Sequence, residues 1–162
     1  ILPAAGMGIA AATLVGASLG RGDIADARRW GWQVAWTGAL GLGALGLIVA
    51  AAPRSLLALF IADPLTIALA AAPLSILALA MGVDAFGRIL GFALRGAGAT
   101  RVVTLVAFVL QWGMQLPLMW LVGLQLGYGL LGIASVRLVL FIVEAAITTL
   151  LWRHGYWSAR QT

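Results

Sequence analysis

The sequence has no cysteine and no lysine, and it has a single histidine, His154. Without cysteine, neither a disulfide framework nor a thiolate metal site can form. One histidine cannot build a three-histidine zinc site, or a site of two histidines and a carboxylate. No cluster of His, Asp or Ser has the spacing of an active site. We therefore expect no metal site and no enzyme.

Charged residues of any kind are also scarce. Only 9% of the 162 residues are charged and 63% are hydrophobic, whereas an ordinary soluble domain is about 25% charged and about 45–50% apolar. A surface of this composition suits a lipid solvent rather than water. The chain begins at Ile1, inside an apolar run and without Met, so we expect it to be a piece of a longer polypeptide.

The apolar residues fall into five runs of membrane-spanning length. A helix that crosses about 30 Å of hydrocarbon needs roughly 20 apolar residues. The runs are apolar on every side, whereas barrel strands alternate apolar and polar residues. We therefore predict an all-α polytopic membrane protein with about five transmembrane helices, at residues 1–19, 30–52, 65–94, 102–122 and 130–152. Residues 55–61 favour a short interfacial helix, and Pro117 predicts a kink in the fourth span.

Arginine is distributed unevenly between the connections. The loop 20–29, the loop 95–101 and the C-terminal tail hold most of it, whereas the other two connections hold only Arg54. Cytoplasmic loops of membrane proteins carry an excess of Lys and Arg. We therefore predict that these two loops and the C-terminus are cytoplasmic, in a protein of the inner (plasma) membrane. The same distribution explains the net charge of +5 without a nucleic-acid partner. The arginines that carry this argument are Arg21, Arg28, Arg29, Arg95, Arg101, Arg153 and Arg160.

The segment 6–11 matches a dinucleotide-binding fingerprint, G-x-G-x-x-A, with Asp26 further along the chain. That fingerprint requires a preceding β-strand, and only five residues precede Gly6. Small residues in a membrane helix instead allow two helices to pack closely. We interpret this segment as a helix-packing surface.

Three segments in order resemble one transporter family. Residues 13–23 read Thr-Leu-Val-Gly-Ala-Ser-Leu-Gly-Arg-Gly-Asp, and residues 59–64 read Leu-Phe-Ile-Ala-Asp-Pro. The third segment has Asp84 and Arg88, followed by Leu-Arg-Gly-Ala-Gly-Ala-Thr at 94–100. Together they resemble the multidrug and toxic compound extrusion (MATE) family, above all its C-terminal lobe, over essentially the whole chain. Many members have Gln at the position of Ala17 and Asp at that of Ala99, which bears on the subfamily.

The resemblance implies a fold, an activity and partners. The fold would be twelve helices in two six-helix lobes, of which this chain supplies helices eight to twelve. The activity would be secondary active antiport, coupled to H⁺ or Na⁺, that exports cationic or amphipathic drugs and toxins. The partners would be the lipid bilayer, the N-terminal lobe of the same polypeptide and the small-molecule substrates, with no cofactor beyond the coupling ion. A lipid-linked oligosaccharide flippase of the same superfamily is the alternative.

Asp84 is the first candidate site residue. It is the only acidic residue in the third apolar run, and ionisable residues inside the membrane are costly and usually functional. By resemblance it is the cation-coupling carboxylate, because the family has an acidic residue in the tenth helix eleven positions before the loop Arg, here Arg95. The alternative is a structural ion pair with Arg88, one helical turn further on.

Two further pairs of polar residues are candidates for a cavity or pathway. Arg137 and Glu144 are seven residues apart, so they share one face of the fifth span. Gln111 and Gln115 likewise share one face of the fourth span. Each pair could line a pathway, or it could fix helix packing through hydrogen bonds and ion pairs with other helices.

Overall fold

The computed structural model describes residues 2–155, and within that range every regular element is helical. The prediction of an all-α fold is therefore confirmed. One continuous helix over Thr100–Gln125 consists of two α-helical segments and two π-helical turns, Val109–Gln115 and Leu121–Gln125. The α-helices are α1 Leu2–Gly20, α2 Ile24–Ala51, α3 Pro53–Ala58, α4 Pro64–Leu79, α5 Met81–Gly96, α6 Thr100–Phe108, α7 Leu116–Trp120 and α8 Gly129–Arg153.

Four helices are long and apolar enough to cross a membrane: α1, α2, the helix Thr100–Gln125 and α8. α4 and α5, which meet at a bend of 45°, pass the same test of length and composition together and give a fifth candidate span. The predicted number of about five spans is thus confirmed. The third span is not the uninterrupted helix 65–94 that the sequence predicted. It runs from Pro64 to Gly96 and is broken at Ala80.

The bend at Ala80 lies where the backbone of the third span touches the backbone of α2. A Cβ atom added to Gly82 would lie 3.0 Å from the carbonyl oxygen of Ala39 and 3.2 Å from Cα of Gly43. A Cβ atom at Gly46 would overlap the carbonyl group of Ala78. Glycines on both sides of the contact therefore let two helices approach more closely than side chains would permit. The apolar run continues on both sides of Ala80, so the sequence pattern did not indicate the break.

The second span starts earlier than predicted, at Ile24 rather than Trp30. Asp23 caps this helix, since its side chain accepts the backbone N–H of Asp26 at 2.8 Å. Gly22, with φ of 77°, reverses the chain after α1. Arg28 and Arg29 are consequently helical residues and not part of a polar loop. The cytoplasmic placement of this turn stays a prediction.

The remaining spans differ from the predicted bounds by a few residues at each end, which is the usual spread for helix termini. The predicted fourth span 102–122 extends to Gln125 because the second π-helical turn continues it. The predicted interfacial helix 55–61 is shifted toward the N-terminus as α3. Arg160 and Ile1 lie outside the described residues.

The core surrounds α5, which packs against α1, α2 and α8. The outer faces of the helices are apolar as well: Leu40, Leu47 and Ile48 of α2 are 68%, 61% and 70% exposed. Exposing such an apolar surface is unfavourable in water and favourable in lipid. The largest fully buried side chains are Val15 and Ser18 of α1, Ile89, Leu90 and Leu94 of α5, and Trp152 of α8.

The end of α5, just before the glycine-rich turn that carries part of the family resemblance, packs closely on α1. A Cβ atom at Gly96 would lie 2.6 Å from Cα of Ala12, so α5 and α1 touch backbone to backbone at this point. After α5, Gly98 has φ of 84°, and the N–H of Ala99 donates to the carbonyl of Leu94 at 2.9 Å. This is a glycine-dependent helix end. Gly22 after α1 and Gly98 after α5 both have positive φ, a conformation that favours glycine at these two helix ends.

Candidate functional site

A cavity of about 270 Å³ lies between α5, α8 and the helix Thr100–Gln125. Its wall is apolar apart from seven polar side chains contributed by these three helices. Four of the residues proposed from sequence, the pair on α8 and the pair on the fourth span, line this one cavity. The polar lining residues are Arg88, Arg95, Gln111, Gln115, Arg137, Glu144 and Thr148.

The helical repeat brings the charged residues to the cavity. Arg88 and Arg95 are seven residues apart on α5, as Arg137 and Glu144 are on α8, so each pair lies on one face about two turns apart. The two helices run parallel. Gly87 approaches Ala145, where a Cβ atom would lie 3.0 Å from the Ala145 Cα, and Gly91 approaches Thr148. Close packing at Gly87 therefore fixes the register in which the two charged faces meet.

A π-helical turn shapes the opposite wall. Pro117 has no backbone N–H, and just before it the N–H of Leu116 donates to Gln111, five residues back. Next to Pro117, where the sequence predicted a kink, the structure has a π-helical turn, and such turns are frequent at functional sites. The turn directs Gln111 and Gln115 to the cavity. There, a guanidinium N–H of Arg137 donates to the side-chain carbonyl of Gln115.

Asp84 does not line this cavity. It lies in the first turn of α5, directly after the break at Ala80, and its side chain is 18% exposed. Nε–H of Arg88 donates to Oδ1 of Asp84 at 2.6 Å, so the ion pair considered from the sequence is formed. Asp84 instead faces a second cavity of about 250 Å³, which it shares with Arg88, Arg137 and Phe141. Arg88, Arg137 and Phe141 therefore connect the two cavities.

The charges around the larger cavity are unequal, with three guanidinium groups and one carboxylate, that of Glu144. Arg88 is balanced by Asp84. Arg95 lies over the ring of Phe92, with 5.0 Å from its Cζ to the ring centroid. Arg137 lies over Phe141 at 4.6 Å. These two arginines are thus held against aromatic rings, and among residues 2–155 neither has a carboxylate within 4.0 Å.

Sequence reasoning missed Arg88 and Arg95 as cavity residues. Arg95 was placed in a cytoplasmic loop, and Arg88 was considered only as a partner for Asp84. The seven-residue spacing between them was a usable signal, the same one that identified Arg137 and Glu144. It was overlooked because a loop boundary was drawn at Arg95, whereas α5 continues to Gly96.

A second polar cluster that the sequence did not indicate joins α1 to α2. Oδ2 of Asp26 accepts hydrogen bonds from the Ser18 hydroxyl at 2.7 Å, a guanidinium N–H of Arg21 at 3.1 Å and the indole N–H of Trp30 at 3.2 Å. Ser18 is fully buried. These hydrogen bonds join α1 to α2. We interpret the cluster as a helix–helix contact and not as a binding site, because its three donors already bind the Asp26 carboxylate.

Comparison with known proteins gives consistent results. The MatE family model matches residues 1–121. The chain is similar to proteins named "Probable multidrug resistance protein NorM": 32% identical to that of Rhodopseudomonas palustris over 91% of this chain and 32% of that protein. The corresponding protein of Thermotoga maritima is 28% identical over 98% of this chain and 34% of its own length. The chain thus spans about a third of these relatives.

A solved structure has the same fold. It is described as the "Inward-facing conformation of a multidrug resistance MATE family transporter of the MOP superfamily". The TM-score is 0.81 at 23% sequence identity, and the match covers 90% of this chain and 33% of that one. At this identity the likeness establishes the helical arrangement and no more.

Proposed function

Since the chain belongs to the MatE family, we propose that it forms part of a cation-coupled antiporter that exports cationic or amphipathic drugs and toxins. H⁺ or Na⁺ entering the cell would drive the export. The relatives named as multidrug resistance proteins support the efflux activity. The coupling rests on the chain's own residues, above all on Asp84.

The observation that carries the proposal is a partly buried carboxylate at a break in a membrane span. Asp84 follows the bend at Ala80, and in secondary transporters coupling ions bind where membrane helices are discontinuous. An ionisable group at such a position is costly to maintain, which favours a functional role. Asp84 also opens onto a cavity, so an ion has space beside it.

The ion pair with Arg88 gives Asp84 two states. While Asp84 is charged, its contact at 2.6 Å holds Arg88. A proton or Na⁺ that neutralises Asp84 weakens this contact and leaves Arg88 without its partner. Because Arg88 lines both cavities, the change is transmitted to the larger one. One charge moving through 100 mV supplies about 2.3 kcal/mol, enough to bias such a switch.

The placement of the chain in the whole transporter is part of the proposal. The five spans would be helices eight to twelve, in the C-terminal lobe, facing an N-terminal lobe of the same polypeptide. The turns around residues 20–29 and 95–101 and the C-terminus would lie in the cytoplasm, following the distribution of arginine. Alternating access would then expose the cavities to each side of the plasma membrane in turn.

The test measures ethidium efflux by the natural full-length protein in proteoliposomes, under an imposed pH gradient or Na⁺ gradient. Asp84→Asn should abolish gradient-driven efflux while leaving insertion normal. The matched control is Asp63→Asn, because Asp63 is an exposed helix cap that faces neither cavity and Asn caps helices as well.

Unchanged efflux in Asp84→Asn would reject Asp84 as the coupling group and reduce it to the structural partner of Arg88. Loss of efflux in the Asp63→Asn control as well would show that the assay reports folding and not coupling.

A lipid-linked oligosaccharide flippase is the second candidate function. The specific observation in its favour is the cavity with three arginines and one carboxylate, since a lipid-linked sugar has an anionic phosphate. Wild-type protein that exports no cationic dye but translocates a fluorescent lipid-linked phosphosugar would support this alternative.

A further inference from the structure

We propose that the cavity between α5, α8 and the helix Thr100–Gln125 binds the anionic group, a carboxylate or a phosphate, of an amphipathic molecule. The inference rests on the proposed function and deepens it, because it assigns the chemistry of one end of a transported or resident ligand. It requires a cavity that favours negative charge, side chains free to bind it, and an apolar surface for the rest of the molecule.

The cavity favours negative charge because its arginines outnumber its carboxylates. Asp84 pairs with Arg88 and lies outside the cavity lining, so it does not neutralise the other two. Arg95 and Arg137 then face a single carboxylate, Glu144. Between membrane helices this surplus is weakly screened by solvent, so an incoming anion gains more than it would at a surface.

Arg95 and Arg137 are suited to hold the anion. A guanidinium group binds carboxylate or phosphate through two parallel N–H donors. Stacking against Phe92 and Phe141 limits the positions that these groups occupy. Within residues 2–155, Arg95 makes no ion pair or side-chain hydrogen bond, and Arg137 donates only to Gln115. Donors on both therefore remain for a ligand.

The third wall of the cavity suits an apolar body. It is formed by side chains of the helix Thr100–Gln125, among them Val103, Val106, Ala107 and Leu110. The volume of about 270 Å³ is slightly below the roughly 300–1,000 Å³ typical of ligand sites. It suits a small acidic group joined to a short chain or to one compact ring system. The combination of two arginines and an apolar wall predicts an anionic amphiphile.

The test compares two probes that differ in one anionic carboxymethyl group, dansylglycine and dansylamide. The natural full-length protein is placed in phosphatidylcholine nanodiscs, and binding is followed by dansyl fluorescence. Dansylglycine should bind more tightly than dansylamide. Arg95→Gln should weaken dansylglycine binding about tenfold or more, the loss expected for a charge-assisted hydrogen bond, and Arg95→Lys should weaken it less. Arg101→Gln is the matched control, because Arg101 is exposed and does not line the cavity.

Adding phosphatidylglycerol to the nanodiscs distinguishes two sources of the anion. Competition with dansylglycine would identify a lipid headgroup as the occupant, and absence of competition a soluble acidic molecule. Equal binding of the two probes, or equal losses in Arg95→Gln and Arg101→Gln, would overturn the inference. Arg95 variants carry the conclusion, because Arg137→Gln also removes the contact with Gln115. Ethidium efflux measured on the same preparations shows separately whether the antiport proposal stands.

Discussion

The two sides of α5 differ in how closely they pack and in the charge they carry. Toward α1 and α2, α5 presents small and apolar residues, and the helices meet backbone to backbone at Gly96 and Gly82. Toward α8 and the helix Thr100–Gln125, the same helix presents Arg88 and Arg95 to a cavity. At Gly82 and Gly96 there is thus no room for a side chain, whereas the other face of α5 retains space and charge.

The difference shows how a membrane bundle keeps polar groups at a site. In lipid, apolar contacts between helices gain little from the hydrophobic effect, so close packing of small residues supplies much of the stability. The glycine contacts on one face of α5 therefore hold the helix that positions the arginines on its other face. Substitutions in the two regions should differ accordingly in what they change.

The largest effect on stability should come from Gly96→Ala. The new Cβ atom would lie 2.6 Å from Cα of Ala12, and backbone cannot move aside as a side chain can. We expect a loss of about 1–3 kcal/mol, as for other overpacked sites, seen as a lower midpoint of thermal unfolding in detergent. Gly41→Ala is the control, since nothing lies within 4 Å of its added Cβ atom. Equal midpoints for the two variants would contradict the packing argument.

A smaller loss is expected from Ser18→Ala. The buried hydroxyl of Ser18 donates to Asp26 at 2.7 Å and so ties α1 to α2. Its removal leaves Asp26 with the donors of Arg21 and Trp30, which is why the midpoint should fall less than in Gly96→Ala. Thr13→Ala removes only a bond within α1 and should leave the midpoint unchanged. A decrease of the same size in Thr13→Ala would mean that the clamp adds nothing.

On the cavity side, Gln115→Leu should affect stability only slightly. It removes the hydrogen bond that Arg137 donates to Gln115, and interhelical hydrogen bonds in membranes average about 0.6 kcal/mol. Gln111→Leu is the matched control, because Gln111 is exposed and makes no side-chain hydrogen bond in the part of the chain described. A loss of stability in Gln115→Leu as large as that in Gly96→Ala would contradict the proposed difference between the two faces of α5.

The smallest effect is a pH dependence at the start of α4. The Thr66 hydroxyl and backbone N–H donate to Asp63 and hold its pKa below the ordinary value of 3.8. A depressed pKa means that the cap contributes stability above 3.8, and loses it as the pH falls through the lower, folded-state pKa. Hydrogen exchange at Leu65 and Thr66, corrected for its intrinsic pH dependence, should show protection falling in that range. Asp63→Asn should remove the pH dependence, and its persistence would exclude Asp63 as the titrating group.

Much of the fold followed from local properties of the sequence. Helices form in apolar segments of this length because lipid offers the backbone no other hydrogen-bond partners, so the spans at 1–19 and 130–152 needed no tertiary information. The start of α2 was misplaced because the cap at Asp23 was read as a loop. The break at Ala80 was not predicted because the apolar run continues across it; the break lies where the third span contacts α2, more than thirty residues earlier in the chain.

The candidate site was only partly predictable, for the same reason. Seven-residue spacing placed Arg137 and Glu144 on one face, because that is a property of a single helix. That this face meets Arg88 and Arg95 depends on how α5 and α8 are aligned, and spacing within one helix contains no information on alignment. The family resemblance also implied export of cationic or amphipathic compounds, whereas the larger of the two cavities has an excess of arginine.

By itself, the sequence determined that this protein is a helical membrane protein. Its apolar composition favours lipid over water, and the length of its apolar segments is that of membrane-spanning helices. It also indicated the family, through glycine-rich loops whose backbone geometry few other residues tolerate. Only the tertiary structure decided which polar side chains share a cavity and which carboxylate pairs with which arginine. Those outcomes depend on helix register, which is set by backbone contacts at positions such as Gly87 and Ala145. These two residues are distant in the sequence, so no local sequence pattern predicts their contact.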